Sequence, residues 1–357
     1  MGVYGVTHND SISQVVTIPA GSNAILSYYL HIYTAESGTT AWDTMKVSVG
    51  STVLQTLSNL NAASGYQHKT VNLSAYVGRT ISLTFSAADD VSLATGFVLD
   101  DTSATVAVTR LSDFNRDGFT DIIARDAAGH LWLYPGSGAG GFLPRHQIGT
   151  GWNTMNTIVT PGDVTGDGNG DIIAKDTAGR LWLYPGNGVF GVGARRQIGA
   201  GWTSYTITNA ANMNTAGRPD LLARDSAGSL WLYPFSGNAV FGARTKIGSG
   251  WGSLVFRGPG DLSGDGRADI LARNSAGQLL LYRGNGAGGV AAGTVVGSGF
   301  SGMTALVTPG NWDYAAGNDV LARDAAGRLW LFPGNNASGW LTRRQIGSGW
   351  SGMNYIG

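Results

Sequence analysis

Nine residues beginning at Asp113, DFNRDGFTD, place side-chain oxygens at Asp113, Asn115, Asp117 and Asp121, with Gly118 after the third. Alternating acids on a tight loop can wrap one hard cation in oxygen ligands, and the glycine supplies the sharp turn. No glutamate follows to close an EF-hand, and Asp121 leads instead into the apolar run Ile122-Ile123-Ala124. The loop therefore sits just before a strand. It stands intact again at Asp163, Thr165, Asp167 and Asp171, and at Asp261, Ser263, Asp265 and Asp269. It has decayed at Asn212, Asn214, Ala216 and Asp220, and at Asn311, Asp313 and Ala315. Three complete copies predict about three structural calcium ions; magnesium keeps its waters and rarely fills an all-protein cage.

A second recurring set could hold a ligand. Trp152, Trp202, Trp251 and Trp350 each end an Ile-Gly-x-Gly-Trp segment, and Arg145, Arg195, Arg244 and Arg343 stand shortly before it. A ring face suits the apolar CH face of a pyranose, while nearby polar groups fix its orientation. The fourth copy has Phe300 and Gly293 at these positions, so the pattern predicts up to four sites. Trp132, Trp182, Trp231 and Trp330 read better as packing between layers.

These residues belong to a repeat. DIIARDAAGHLWLYPG (121–136) returns at 171–186, 220–234, 269–284 and 319–334, and the closing aromatics fall at 152, 202, 251, 300 and 350. A fixed period of this size means stacked units that bury their faces on one another. Each unit offers four short strands, in the second TIVTP, DIIAKD, RLWLYPG and RRQIG, and Gly129, Gly179, Gly228, Gly277 and Gly327 turn the middle hairpin. Four strands repeated five times, with no polar end caps, predict a five-bladed β-propeller over 108–357. Its repeats run at about 109–161, 162–210, 211–259, 260–309 and 310–357.

Charged residues are only 13% of the 357, lysine plus arginine (23) equals aspartate plus glutamate (23), and there is no cysteine. This argues against nucleic acid as partner and excludes disulfides and thiolate metal sites. No apolar run is long enough to insert into a membrane, and Met1-Gly2-Val3-Tyr4 lacks the basic start and apolar core of a signal peptide. The five histidines form no HExxH, no GxSxG elbow is present, and the GxGxxG matches at 136–141, 186–191 and 284–289 open no helix. No enzyme is expected.

Residues 1–107 are non-repeating. SQVVTI (13–18), AILSYYLHIYT (24–34), TMKVSV (44–49), HKTVNL (68–73) and TISLTFSA (80–87) alternate as strands do, with turn clusters such as SGTT and NAASG between them. A β-sandwich, most simply a jelly roll, is expected. The fold class is thus all-β throughout.

Three resemblances attach to these motifs. The D-x-[ND]-x-D-G-x-x-D-[IL]-[IL]-A-R-D blocks resemble FG-GAP/VCBS repeats of secreted bacterial proteins and integrin-type propellers, which implies calcium in the loops. The G-x-LWLYPG…IGxGW portion is similar to tachylectin-type five-bladed lectins, which implies N-acetyl-sugar pockets between blades. Residues 7–106, ending in GFVLDDTSATV, look like a sandwich domain appended to secreted bacterial peptidases. That last family implies further strands upstream, so a truncated or processed piece of a longer protein is expected. Asp100 and Asp101 are candidates for a structural ion there. The expected function is a secreted, calcium-stabilised, multivalent carbohydrate-binding module for cell-surface or cell-wall sugars. The alternatives are the targeting tail of a larger secreted hydrolase, with its catalytic domain outside this chain, and a protein-binding adhesion propeller.

Overall fold

The computed structural model describes residues 7–18, 22–73, 76, 79–108, 112–315 and 317–357. Residues 109–111, where the first repeat is expected to begin, lie outside this set. The chain divides into two compact units, one up to Val108 and one from Thr109.

The first unit holds two antiparallel sheets. Strands β1 (His8–Thr17), β6 (Thr80–Asp89), β3 (Thr44–Val49) and β4 (Thr52–Ser58) form one, in that order; β5 (Gln67–Asn72), β2 (Ser22–Thr34) and β7 (Thr95–Val108) form the other. Alternation explains why they pack: Leu26, Tyr28, Leu30 and Ile32 of β2 point inward and meet Met45, Val47, Leu83 and Phe85 of the opposite sheet in one apolar cluster. Tyr28 stands edge-on to Phe85 with ring centroids 5.2 Å apart. Strand β4 escaped the sequence pattern. It is an edge strand with mostly exposed residues before Leu57, so no burial enforces alternation on it.

Among the described residues the second unit contains five four-stranded antiparallel sheets. Sheets II to V follow the chain: β11–β14 (Met155–Gly162, Asp171–Asp176, Leu181–Tyr184, Arg196–Gly199), β15–β18 (Thr206–Asn209, Asp220–Arg224, Leu230–Pro234, Thr245–Gly248), β19–β22 (Val255–Gly260, Asp269–Arg273, Leu279–Tyr282, Thr294–Gly297) and β23–β26 (Met303–Gly310, Asp319–Asp324, Leu329–Phe332, Arg344–Gly347). Sheet I differs. Its strands β8 (Ile122–Asp126), β9 (Leu131–Tyr134) and β10 (His146–Gly149) are completed by β27 (Met353–Ile356), which pairs Ile356 with Ala124. Sheets and sequence repeats are thus out of phase by one strand, and the chain's two ends of this unit are joined by backbone hydrogen bonds.

An apolar cluster fills each junction: I with II around Leu133 and Ile172, II with III around Leu183 and Leu221, III with IV around Leu232 and Ile270, IV with V around Leu281 and Val320, and V with I around Leu331 and Ile122. The clusters close a circle of sheets, the arrangement of a β-propeller. Leu131 and Leu133 are fully buried, whereas Trp132 and Tyr134 on the other face of the same strand are half-buried. The strand is therefore less covered than its apolar composition suggests.

Candidate functional site

The last acid of each loop has a role that the metal pattern did not reveal. Asp121, Asp171, Asp220, Asp269 and Asp319 are at most 1% exposed. One carboxylate oxygen accepts the backbone N–H of Phe114 (2.8 Å), Val164 (2.9 Å), Met213 (2.8 Å), Leu262 (2.9 Å) or Trp312 (2.7 Å). In four units the other oxygen accepts from the glycine after the inner hairpin, Gly136, Gly186, Gly284 or Gly334, at 2.9–3.2 Å. The aspartate thus staples the loop to the end of the hairpin in these four units, and in the third, where the remaining acids have gone, Asp220 still holds the loop through Met213. Burial pushes these carboxyls up, to about 7 for Asp121, Asp220 and Asp319 and about 6 for Asp171 and Asp269.

The remaining loop oxygens are turned toward the loop itself. Asp163 accepts from the backbone of Gly166, Asp167 and Gly168, and Asp261 from Gly264, Asp265 and Gly266. Asn115 donates its amide to Asp117 at 2.8 Å. Among the described residues no three acid or histidine side chains converge as a metal group. The donor chemistry nonetheless suits a hard cation: every side chain is an oxygen ligand, and Asp113 and Asp117 raise Asp121 by like-charge repulsion, as Asp163 raises Asp171 and Asp261 raises Asp269.

The Arg-Asp dipeptide that ends the second strand of most units splits its duties. Arg125 donates to the carbonyls of Trp152 and Met155, holding the closing turn, and Arg224, Arg273 and Arg323 do the same in their units. Asp126, Asp176, Asp225 and Asp324 accept the indole N–H of Trp132, Trp182, Trp231 and Trp330 at 2.9–3.0 Å, and that bond holds each carboxyl below its ordinary range. The fourth unit lacks both partners, with Asn274 and Leu280 in their places. The other side of each ring is covered by an arginine of the predicted set: Arg145, Arg195, Arg244 and Arg343 lie 4.0, 4.3, 4.3 and 4.8 Å from the ring centres. Arg145, Arg195 and Arg244 also donate to the hydroxyls of Tyr134, Tyr184 and Tyr233.

The closing turns correct the expectation of open stacking rings. Trp152, Trp202, Trp251 and Trp350 are only 4–7% exposed. Each leans on the aromatic of the next sheet: Trp152 on Tyr184 (4.5 Å), Trp202 on Tyr233 (4.7 Å), Trp251 on Tyr282 (4.5 Å) and Trp350 on Tyr134 (4.5 Å), while Phe300 meets Phe332 (4.8 Å). The glycines shape this contact. A Cβ on Gly149 would sit 2.2 Å from the Trp152 indole nitrogen, and Gly151 is left-handed at φ 72°. The hairpin glycines are left-handed too, and the Gly129 carbonyl accepts the Trp152 N–H at 3.0 Å.

Between sheets V and I this geometry leaves a cleft of about 330 Å³, lined by Tyr134, Phe142, Leu143, Arg145, Ser348, Gly349, Trp350 and Met353. It joins Trp350 of the last repeat to Arg145 of the first. In this cleft the predicted residues meet across the repeat boundary, and the pairing of a closing aromatic with the next sheet's ring recurs at the other four junctions. The tyrosines and Asp126-type acids were absent from the predicted ligand set. Their recurrence, the acid with every tryptophan of the set and the tyrosine with all but Trp330, was the available signal.

Residues 113–174 and 212–272 match the family model for FG-GAP-like repeats. The circle of sheets gives the second unit the arrangement of a β-propeller, and two of its segments match FG-GAP-like repeats. No curated protein matches the chain. Among solved structures, the BP39L lectin from Burkholderia pseudomallei is similar at 16% identity and TM-score 0.41, over 74% of this chain and 80% of that one. The C-terminal WD40 domain of Sif2 is similar at 12% identity and TM-score 0.33, over 66% and 72%. NanB sialidase from Streptococcus pneumoniae, as its K499G mutant, reaches 7% identity and TM-score 0.26, over 90% and 88%.

Proposed function

We propose that this chain is a secreted, non-catalytic glycan-binding protein whose five-bladed propeller takes sugars in the clefts between consecutive blades. The observation that carries this is the cleft between sheets V and I. Its volume of about 330 Å³ lies within the roughly 300–1,000 Å³ range of small-ligand sites, and few polar groups converge on aromatic walls there. The Trp350 edge, Phe142 and Leu143 offer apolar contact to a pyranose. The Arg145 guanidinium and Tyr134 hydroxyl can meet its hydroxyls or an N-acetyl carbonyl. Calcium, held by Asp113, Asn115 and Asp117 and their counterparts in the second and fourth units, would supply charge compensation and tie each loop. The first unit is, in this proposal, a jelly-roll sandwich.

Because each cleft belongs to two repeats, the altered fourth unit affects two clefts. Trp251 faces Tyr282 but finds Gly293 where an arginine should stand, and Phe300 faces Phe332 and Arg343 without a tryptophan or a tyrosine hydroxyl. Three complete clefts follow, in place of the four that the repeats alone suggest. Several weak sites on one rigid ring gain avidity on a dense surface. A glycan array identifies the sugar, and calorimetry with that sugar then counts sites. We expect about three, with Arg145→Ala, Arg195→Ala and Arg244→Ala each removing one and Arg343→Ala removing none. Equal loss from all four, or no array ligand, refutes the proposal.

A further inference from the structure

The first unit carries an aromatic surface that the propeller clefts leave unexplained. On β2 the inward residues are buried, and their alternates Tyr29, His31 and Tyr33 line the opposite face of the sheet. Tyr29 is 41% exposed and Tyr33 45%, as is Tyr66 just before the neighbouring strand β5. The rings are in contact, across strands for Tyr29 with His68 at 5.1 Å and His31 with Tyr66 at 5.6 Å, and along β2 for His31 with Tyr33 at 6.0 Å. Tyr33 lies over Gly96 of β7, its register partner, where a Cβ would come within 2.2 Å of the ring. One face of that ring is seated on backbone and the other is left to solvent. Glycine is required beneath it.

Positions two apart on a strand stand about 6.7 Å apart, so the β2 rings alone extend over more than one pyranose. The face is the surface of a sheet and not a groove. Its partners across the strands are Thr70 beside Ser27, Val98 beside His31 and Asp100 beside Tyr29, so these partners bring no lysine or arginine and one acid, with Asp101 following in the bulge. Each ring joins an apolar face to a polar edge, a hydroxyl or an imidazole nitrogen. A protein partner would favour a packed aliphatic centre with anchor pockets. A neutral, hydroxyl-rich chain needs what this face has: consecutive ring faces, hydrogen-bonding edges and no cation, with Asp100 beside Tyr29 able to accept from a sugar hydroxyl.

We propose that the outer face of the β5-β2-β7 sheet is a second carbohydrate-binding surface, taking an extended neutral polysaccharide that lies along β2. It does not depend on the propeller clefts, and the test separates the two. Full-length protein is run by affinity electrophoresis through soluble xylan, β-1,3-glucan and hydroxyethyl-cellulose, and depleted on insoluble cellulose and chitin. At least one of these should retain it. The double variant Tyr29→Ala/Tyr33→Ala should lose about tenfold in affinity for that polymer, equal to about 1.4 kcal/mol, and Tyr66→Ala should lose a smaller factor. Tyr33→Phe keeps the ring over Gly96 and should bind within about twofold of the parent, which separates lost stacking from lost folding. The triple variant Arg145→Ala/Arg195→Ala/Arg244→Ala should bind the polymer as the parent does. Retention on none of the five polymers, unchanged retention of both tyrosine variants, or loss confined to the arginine variant overturns the proposal.

Discussion

Acidification from pH 7.5 to 5 should stabilise the propeller, and Asp220 shows why. Its carboxylate is 1% exposed and accepts the Met213 N–H at 2.8 Å. Burial outweighs the backbone hydrogen bonds and pushes the carboxyl up to about 7, against an ordinary aspartate value of about 3.9. A folded-state value above the unfolded one means that the folded protein holds a proton which the unfolded chain has already released. The resulting destabilisation is absent below about pH 3.9, grows through the window from 3.9 to 7, and is complete above it. Between pH 7.5 and 5 this one group should return about 2 kcal/mol. Unit three is the cleanest place to look, since Asn212, Asn214 and Ala216 replace the other acids of its loop. The Asp126-type carboxyls are held low, Asp324 at about 2, so they lose stability only at more acid pH and do not cloud this window. The assay is urea unfolding in excess EGTA at the two pH values, for the parent and for Asp220→Asn. The amide keeps an acceptor for Met213 and cannot ionise, so the variant should show a smaller gain on acidification by about 2 kcal/mol. A parent less stable at pH 5 than at 7.5, or a variant with an identical pH slope, would refute the reasoning.

Two further outcomes are expected. Removing calcium with EGTA at neutral pH should lower the melting temperature, because three loops carry a full set of oxygen donors; unchanged melting would show that these loops hold no metal of consequence. Gly179→Ala should cost about 1–2 kcal/mol from the left-handed backbone alone, and more from the clash, since Gly179 sits at φ 73° and a Cβ there meets the Thr203 backbone nitrogen at 2.5 Å; a variant with parental unfolding in urea would count against the tight docking of hairpin on closing turn.

Much of this protein was legible in its sequence because repeats make local chemistry visible several times over. The in-phase recurrence of the -LWLYPG- block and of the Gly-Trp turn specified repeated four-stranded units, and the glycine five residues before each tyrosine marked the hairpin with its left-handed backbone. A linear repeat has no phase, however. Nothing in its period says whether a sheet begins with the first strand of a unit or the last, and only backbone pairing assigned β27 to sheet I. The same limit hid the composite clefts: Trp350 meets Tyr134 although more than half the chain lies between them. Burial was the other quantity that the sequence withheld. Asp121 reads as one more acid in a metal loop, yet its oxygens hold backbone N–H groups, and Trp152 reads as a stacking platform, yet its ring faces the neighbouring sheet. Residue type states what a side chain is able to bind; packing decides what it meets first.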